Sequence, residues 1–243
     1  MPRPRLPTTA RSHSTAFFRR SRAAPAGAPA RLLVGLGNPG ADAAGHRHNV
    51  GFMALDALAG AHGFGTFRRR TRFHAEIADG RVGDDAVLAL KPQTYMNESG
   101  RAVGAALRFH RLEPAAVIVL HDEVDLACGK VRARCGGGVA GHNGLRSIRA
   151  HVGAEFWRVR IGIGRPDDRD LMQRYVLSNF AAADKAWLPR TLDAIVDAFP
   201  LLMAGDASGF MSRVALLAPP PGTKREEAEQ AATGRPPEPG DGL

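Results

Sequence analysis

Cysteine is scarce in this chain, and its scarcity closes off two readings at once. Cys128 and Cys135 are the only two among 243 residues, and they do not form a CxxC pair. That excludes a disulfide framework and a thiolate zinc site, leaving two semi-buried thiols suited to a reducing compartment. Long hydrophobic runs are missing too. The longest, such as residues 115–120, fall far short of the ~20 apolar residues that cross a bilayer, so a soluble chain with no membrane partner is expected. Acidic residues are absent from positions 1–31, which hold seven arginines and therefore most of the net charge of +9. Residues 218–243 carry three basic against five acidic side chains, which leaves the body between them at only +4. A mildly basic body is compatible with a nucleic-acid partner without establishing one.

What is present is a chain that is 44% apolar, enough for one well-buried core and one large domain, residues 31–217. Residues 1–30 lack a hydrophobic period and are expected to form a disordered basic extension. Their Arg-rich, Ser-bearing composition also fits an organellar transit peptide, although Pro2, Pro4 and Pro7 break an amphipathic helix early. The tail, 218–243, opens on three consecutive prolines and reads as disordered.

Strand and helix patterns alternate along the body. Residues 32–36 form a buried strand ending in a glycine loop. Residues 50–61 place Phe52, Leu55 and Leu58 at helical spacing, closed by Gly63. Residues 73–78 and 86–90 read as two strands separated by a Gly-Asp turn. Asn97 or Ser99 caps a helix that carries Val103, Ala106 and Leu107 and ends near His110. A short apolar strand, 117–120, terminates at His121-Asp122. Residues 130–134 alternate Val131 and Ala133 with basic side chains, then pass through a glycine-rich loop, 136–141, into a short helix around 145–150. In 156–164, Val159, Ile161 and Ile163 share one face, and Arg158 and Arg160 the other, as in a half-buried strand. A helix over 183–203 closes the body. The pattern predicts a single α/β domain with a mixed, largely parallel twisted sheet flanked by helices in three layers.

Functional residues of such folds gather beyond the carboxyl ends of strands. Four polar clusters stand there: Asn38, Asn97, Asp122 and His142-Asn143. The first lies in Gly35–Gly40, read GLGNPG, which taken alone fits a dinucleotide-binding fingerprint. Its context excludes that reading. Asn38-Pro39 restrains the backbone before Gly40, the next helix starts only near Val50, and Asp56, the one acid near the required spacing, falls inside that helix. No cofactor is expected.

The body resembles the bacterial-type peptidyl-tRNA hydrolases over about residues 31–215, through VGLGNPG (34–40), RHNVG (47–51), KPQTYMNESG (91–100), HDEVDL (121–126), GGGVAGHNGL (136–145) and FWRVRIGIGRP (156–166). It departs at Ala140, where the family usually has glycine. The resemblance implies hydrolysis of the ester between a peptide and the 3′ ribose of tRNA, recycling tRNA from stalled or aborted translation. The residues meet that demand on their own chemistry. His48 supplies a base with an ordinary pKa near ~6.5, and Asp122 can accept its other ring proton and stabilise the imidazolium. No GxSxG elbow occurs and no cysteine falls in a polar cluster, so water is the expected nucleophile. Asn38, Asn97 and Asn143 offer amides that donate and accept without titrating. The resemblance implies that they position peptide or water, that Tyr95 and Met96 wall the substrate's 3′ end, that His142 shapes the same rim, and that Arg134 and Arg160 grip the 5′-terminal phosphate. Arg132, Arg146 and Arg149 extend the basic track. His46 has no third ligand nearby, so no metal is expected, and His62, His74, His110, His121 and His151 read as surface or rim residues. The overall expectation is a monomeric enzyme of the bacterial cytoplasm acting on the acceptor stem and 3′ end of peptidyl-tRNA, or an organellar one if residues 1–30 are a transit peptide. The rival is a non-enzymatic RNA-binding protein on the same fold, which need not keep the catalytic set.

Overall fold

Residues that alternate toward two apolar layers need a sheet covered on both sides, and the first strand shows it. The computed structural model describes residues 29–166 and 168–222. In β1 (Arg31–Gly35), Leu32 and Val34 pack into one core and Leu33 into another, all fully buried. On the Leu33 side lie α1 (Val50–Ala61), α5 (Leu188–Met203) and α6 (Ala207–Leu217), contributing Leu55, Phe199 and Val214. On the other side lie α2 (Ser99–His110) and α3 (Asn143–Val152), contributing Val103 and Ile148. The short α4 (Met172–Val176) buries no residue.

Among the described residues seven strands run in the order β2-β3-β4-β1-β5-β7-β6. The four central ones, β4 (Asp85–Pro92), β1, β5 (Val117–Glu123) and β7 (Trp157–Gly162), are mutually parallel. Antiparallel pairs close both flanks: β2 (Arg68–Arg70) on β3 (Ala75–Val82), β3 on β4, and β6 (Val131–Cys135) on β7. β2 consists of three exposed arginines, a charge pattern that protects an open sheet edge from pairing with other chains. The predicted mixed, three-layer α/β architecture is what the structure shows.

Several local expectations are corrected. Neither Asn97 nor Ser99 caps α2: Glu98 occupies the N-cap, and Ser99 instead donates its hydroxyl to the Met96 carbonyl at 2.8 Å. The body closes not with α5 but with α6, whose N-cap Asp206 accepts from the Gly209 amide. Ala218 and Pro219 are buried against the body, so packing continues past the boundary expected at 217. Apart from Pro29 and Ala30, the expected basic extension lies outside the described residues, as does the tail beyond 222.

β1 lies between β4 and β5, and the helices that follow β1 and β4, α1 and α2, cover opposite faces of the sheet. A crevice opens at that switch point. Two glycines let α1 press against its floor. A Cβ on Gly51 would stand 2.3 Å from the Leu120 carbonyl oxygen and 2.5 Å from the Leu36 nitrogen, and one on Gly35 would stand 2.4 Å from the Gly51 oxygen. Backbone meets backbone here. The single turn just before α1, which carries His48, is thereby brought over the sheet's end.

Candidate active site

The turn Arg47–Asn49 presents three side chains with three different duties. Asn49 is buried and grips the loop after β1: its Oδ1 accepts from the Asn38 amide and its Nδ2 donates to the Asn38 carbonyl, both at 2.9 Å. Asn38, so held, accepts the Met96 amide on its own Oδ1 at 2.9 Å. This fixes which way the Asn38 side chain faces and leaves its Nδ2 as the group free to donate. Arg47 is buried on the other side. Its guanidinium pairs with Asp184 at 2.8 Å, donates to Ser178 Oγ at 2.9 Å and to the Asn179 carbonyl, and lies over the rings of Tyr175 and Phe180. Between them His48 points at Asp122.

His48 Nδ1 donates to Asp122 Oδ1 at 2.8 Å, and His142 Nε2 donates to the same oxygen at 3.0 Å. Asp122 sits in β5 with 3% of its surface exposed. Burial alone would raise its pKa, but His142 and then His48 outweigh that and hold the carboxyl well below the usual carboxylate range. An ionised carboxylate only accepts, so both rings donate to it. With Nδ1 committed, His48 presents Nε2 as its free base. The two imidazole rings are 4.9 Å apart, and a third, His121, meets His142 edge-on at 5.0 Å. His121 is no rim residue, contrary to expectation. It is 1% exposed, donates Nδ1–H to the Asp122 carbonyl at 2.6 Å, and burial, then His142, push its pKa down to about 3.

A groove of about 980 Å³ opens over these groups, and it gathers Asn38, His48, Tyr95, Met96, Asn97, Asp122, His142 and Asn143 from the segments after β1 and β4, the end of β5 and the start of α3. Asn97 and Asn143 are exposed within it, and Tyr95 is 74% exposed, an unusual position for a large ring. Every residue expected to act on the ester or hold the substrate therefore lines one cavity. The sequence model of the family described as Peptidyl-tRNA hydrolase matches residues 32–224. The chain is 52% identical over 208 residues to a Peptidyl-tRNA hydrolase of Rhodospirillum rubrum, covering 86% of this chain and 83% of that protein. It is 55% identical over 191 residues to one of Cereibacter sphaeroides, covering 79% and 84%. The crystal structure of peptidyl-tRNA hydrolase from Acinetobacter baumannii superposes with a TM-score of 0.73 at 36% identity, covering 78% of this chain and 96% of that one.

The chain belongs to the peptidyl-tRNA hydrolase family.

Within this peptidyl-tRNA hydrolase fold, of the predicted arginines Arg132, Arg134, Arg149 and Arg160 lie outside the groove. Arg132 and Arg134 on β6 stand opposite Arg160 and Arg158 on β7, and opposed residues of an antiparallel pair share a face, so four arginines lie together. Arg134 is exposed. Arg160 is tied by its Nε to Glu123 Oε2 at 2.8 Å. Arg158 is buried rather than half-exposed, because the glycine loop closes over it and takes a hydrogen bond on the Gly138 carbonyl. Burial, then Arg134 and Arg160, lower its pKa. Arg146 and Arg165 do reach the groove wall, and α4 supplies Met172, Gln173 and Val176 to it. Nothing in the sequence pattern singled out Arg165, Asn49 or Arg47. The RHN motif contained two of these, and only their burial reveals what they do.

Ligand atoms of His48, Asp122 and His142 lie within 4.8 Å of one another, the one group among the described residues with metal-binding spacing. Both ring nitrogens facing Asp122 carry protons rather than free lone pairs, so the cluster as built holds protons. The departure at Ala140 is visible in the backbone. Its φ is +44°, in the left-handed region that glycine tolerates best, between Gly137 at +92° and Gly141 at +78°.

Proposed function

We propose that this chain hydrolyses the ester between a peptide and the 3′ ribose of tRNA, using His48 Nε2 to deprotonate an attacking water. The observation that carries this is the 2.8 Å pair of His48 with buried Asp122 in a groove lined by three asparagines. Water adds to the ester carbonyl carbon while His48 takes its proton, and Asp122 stabilises the resulting imidazolium. Amide donors, led by the pre-aimed Nδ2 of Asn38, receive the developing oxyanion. Collapse breaks the bond to the ribose oxygen, which takes the proton back from His48, leaving tRNA and free peptide. Asn97 and Asn143 hold the peptide backbone or the water, and Tyr95 with Met96 walls the terminal nucleoside. Arg134 and Arg160 hold the 5′-terminal phosphate, a contact that reads a tRNA end without reading sequence.

All of these residues come from one chain, which supports action as a monomer. Among the described residues no helix is long and apolar enough to cross a membrane. Both cysteines are free thiols, which supports a reducing compartment such as the bacterial cytoplasm. The test is release of peptide from an N-blocked aminoacyl-tRNA. His48→Ala should abolish it while leaving tRNA binding intact; activity within about tenfold of wild type would refute the assignment.

A further inference from the structure

His142 was expected to shape the rim of the groove, and the structure gives it a more specific place. It is the N-cap of α3, and its Nδ1 accepts from the backbone amides of Gly144 at 3.1 Å and Leu145 at 3.4 Å. Backbone amides only donate, so Nδ1 must carry a lone pair and the ring proton must sit on Nε2. Nε2 is the atom 3.0 Å from Asp122 Oδ1. The helix terminus thus dictates which nitrogen of His142 faces the carboxylate as a donor. We propose that His142 is a positioning residue: α3 locks its tautomer, and through Nε2–H it aims the Asp122 carboxylate at His48.

Two further features support this. The ring is closely packed: its side chain is 8% exposed, the His121 ring stands against it at 84°, and a Cβ on Gly144 would stand only 3.1 Å from its Cε1. Asp122 Oδ1 also receives both rings at once, so removing His142 leaves the carboxylate one donor short and free to rotate toward other partners. His142 acts through Asp122 and on His48, without touching the reacting atoms.

The inference rests on the His48–Asp122 reading, and its tests can fail separately from it. In the full chain labelled with 15N-histidine, long-range 1H–15N correlation should show His142 as the Nε2–H tautomer; an Nδ1–H pattern would overturn the proposal whatever the activity. His142→Ser keeps a capping oxygen for α3 but has no donor for Asp122. It should lower kcat about tenfold with KM nearly unchanged. In an Asp122→Asn background the same substitution should cost nothing further, because its route to His48 is already cut. Equal kcat losses in both backgrounds, or a change confined to KM, would overturn the proposal in favour of direct substrate contact. If His142→Ser does not fold, His142→Thr, which keeps a capping oxygen in the same way, takes its place in the same cycle.

Discussion

Replacing Arg47 with methionine should destabilise the protein by about 3 kcal/mol without touching any atom that meets substrate. Methionine keeps an unbranched apolar stem, so packing is largely preserved and the charge alone is removed. The Arg47–Asp184 pair has side-chain exposures of only 11% and 13%, and breaking such a pair leaves a buried carboxylate without its counter-charge. That typically costs about 3–5 kcal/mol. Asp184 retains hydrogen bonds from Trp187 Nε1 at 3.0 Å and from the Ala181 amide at 2.7 Å, which favours the low end. Loss of the contact with the Tyr175 ring, 4.6 Å from the guanidinium carbon, accounts for roughly 0.5–1 kcal/mol of that total. For a body of this size the midpoint of thermal unfolding should fall by about 6–12 °C. Urea denaturation measures the free energy directly, and a companion Asp184→Asn variant completes the cycle. The double variant should be more stable than the two losses combined, because no buried charge is then stranded. A loss below about 1 kcal/mol, or strict additivity, would refute the view of Arg47 as a buried anchor.

Other expectations follow from the same geometry. Asp122→Asn should slow ester hydrolysis about 100-fold or more with little change in KM, read in the blocked aminoacyl-tRNA assay. Because folding lowers the Asp122 pKa, its stabilising effect is complete above the unfolded carboxylate value, near pH 4, and fades as pH falls further; Asp122→Asn should therefore flatten the acid side of the stability profile. Gly51→Ala forces a Cβ onto backbone atoms of Leu36, just after β1, and of Leu120 in β5, and should cost about 3 kcal/mol, visible as lost soluble yield and a lower urea midpoint. Ala140→Gly should raise stability by about 1 kcal/mol in the same titration, since glycine relieves the left-handed strain at +44°.

The central strands were legible because they are apolar on both faces, and Asn38, Asn97 and Asp122 because each stands at or beyond the end of such a strand. Residues 32–36 and 117–120 announce themselves by composition, and Asn38 and Asp122 by standing at their ends. β2 was not legible, since three consecutive arginines carry no hydrophobic period and become a strand only by pairing with β3. α6 buries only Phe210 and Val214, too sparse a stripe to reveal a helix after Gly205. His121 looked like a rim residue because its neighbour Asp122 is functional. Side chains alternate along a strand, but here both lie in strand β5, where all seven residues are buried. Asn49 and Arg47 hold the site through contacts eleven and more than a hundred residues away, information that no local pattern contains.

The central position of β1 also bears on how the enzyme is made. Among the described strands β1 is synthesised first, yet its neighbours β4 and β5 arrive only after residues 85 and 117, and His48 meets Asp122 across 74 residues. The His142 cap and the Arg47 anchor at Asp184 come later still. Pairings between distant segments form slowly, because chain entropy is lost before contacts compensate for it. No fragment that ends before residue 122 holds the His48–Asp122 pair proposed as the base. On the proposed mechanism, hydrolytic activity therefore appears only once β5 has joined the sheet and brought Asp122 to His48.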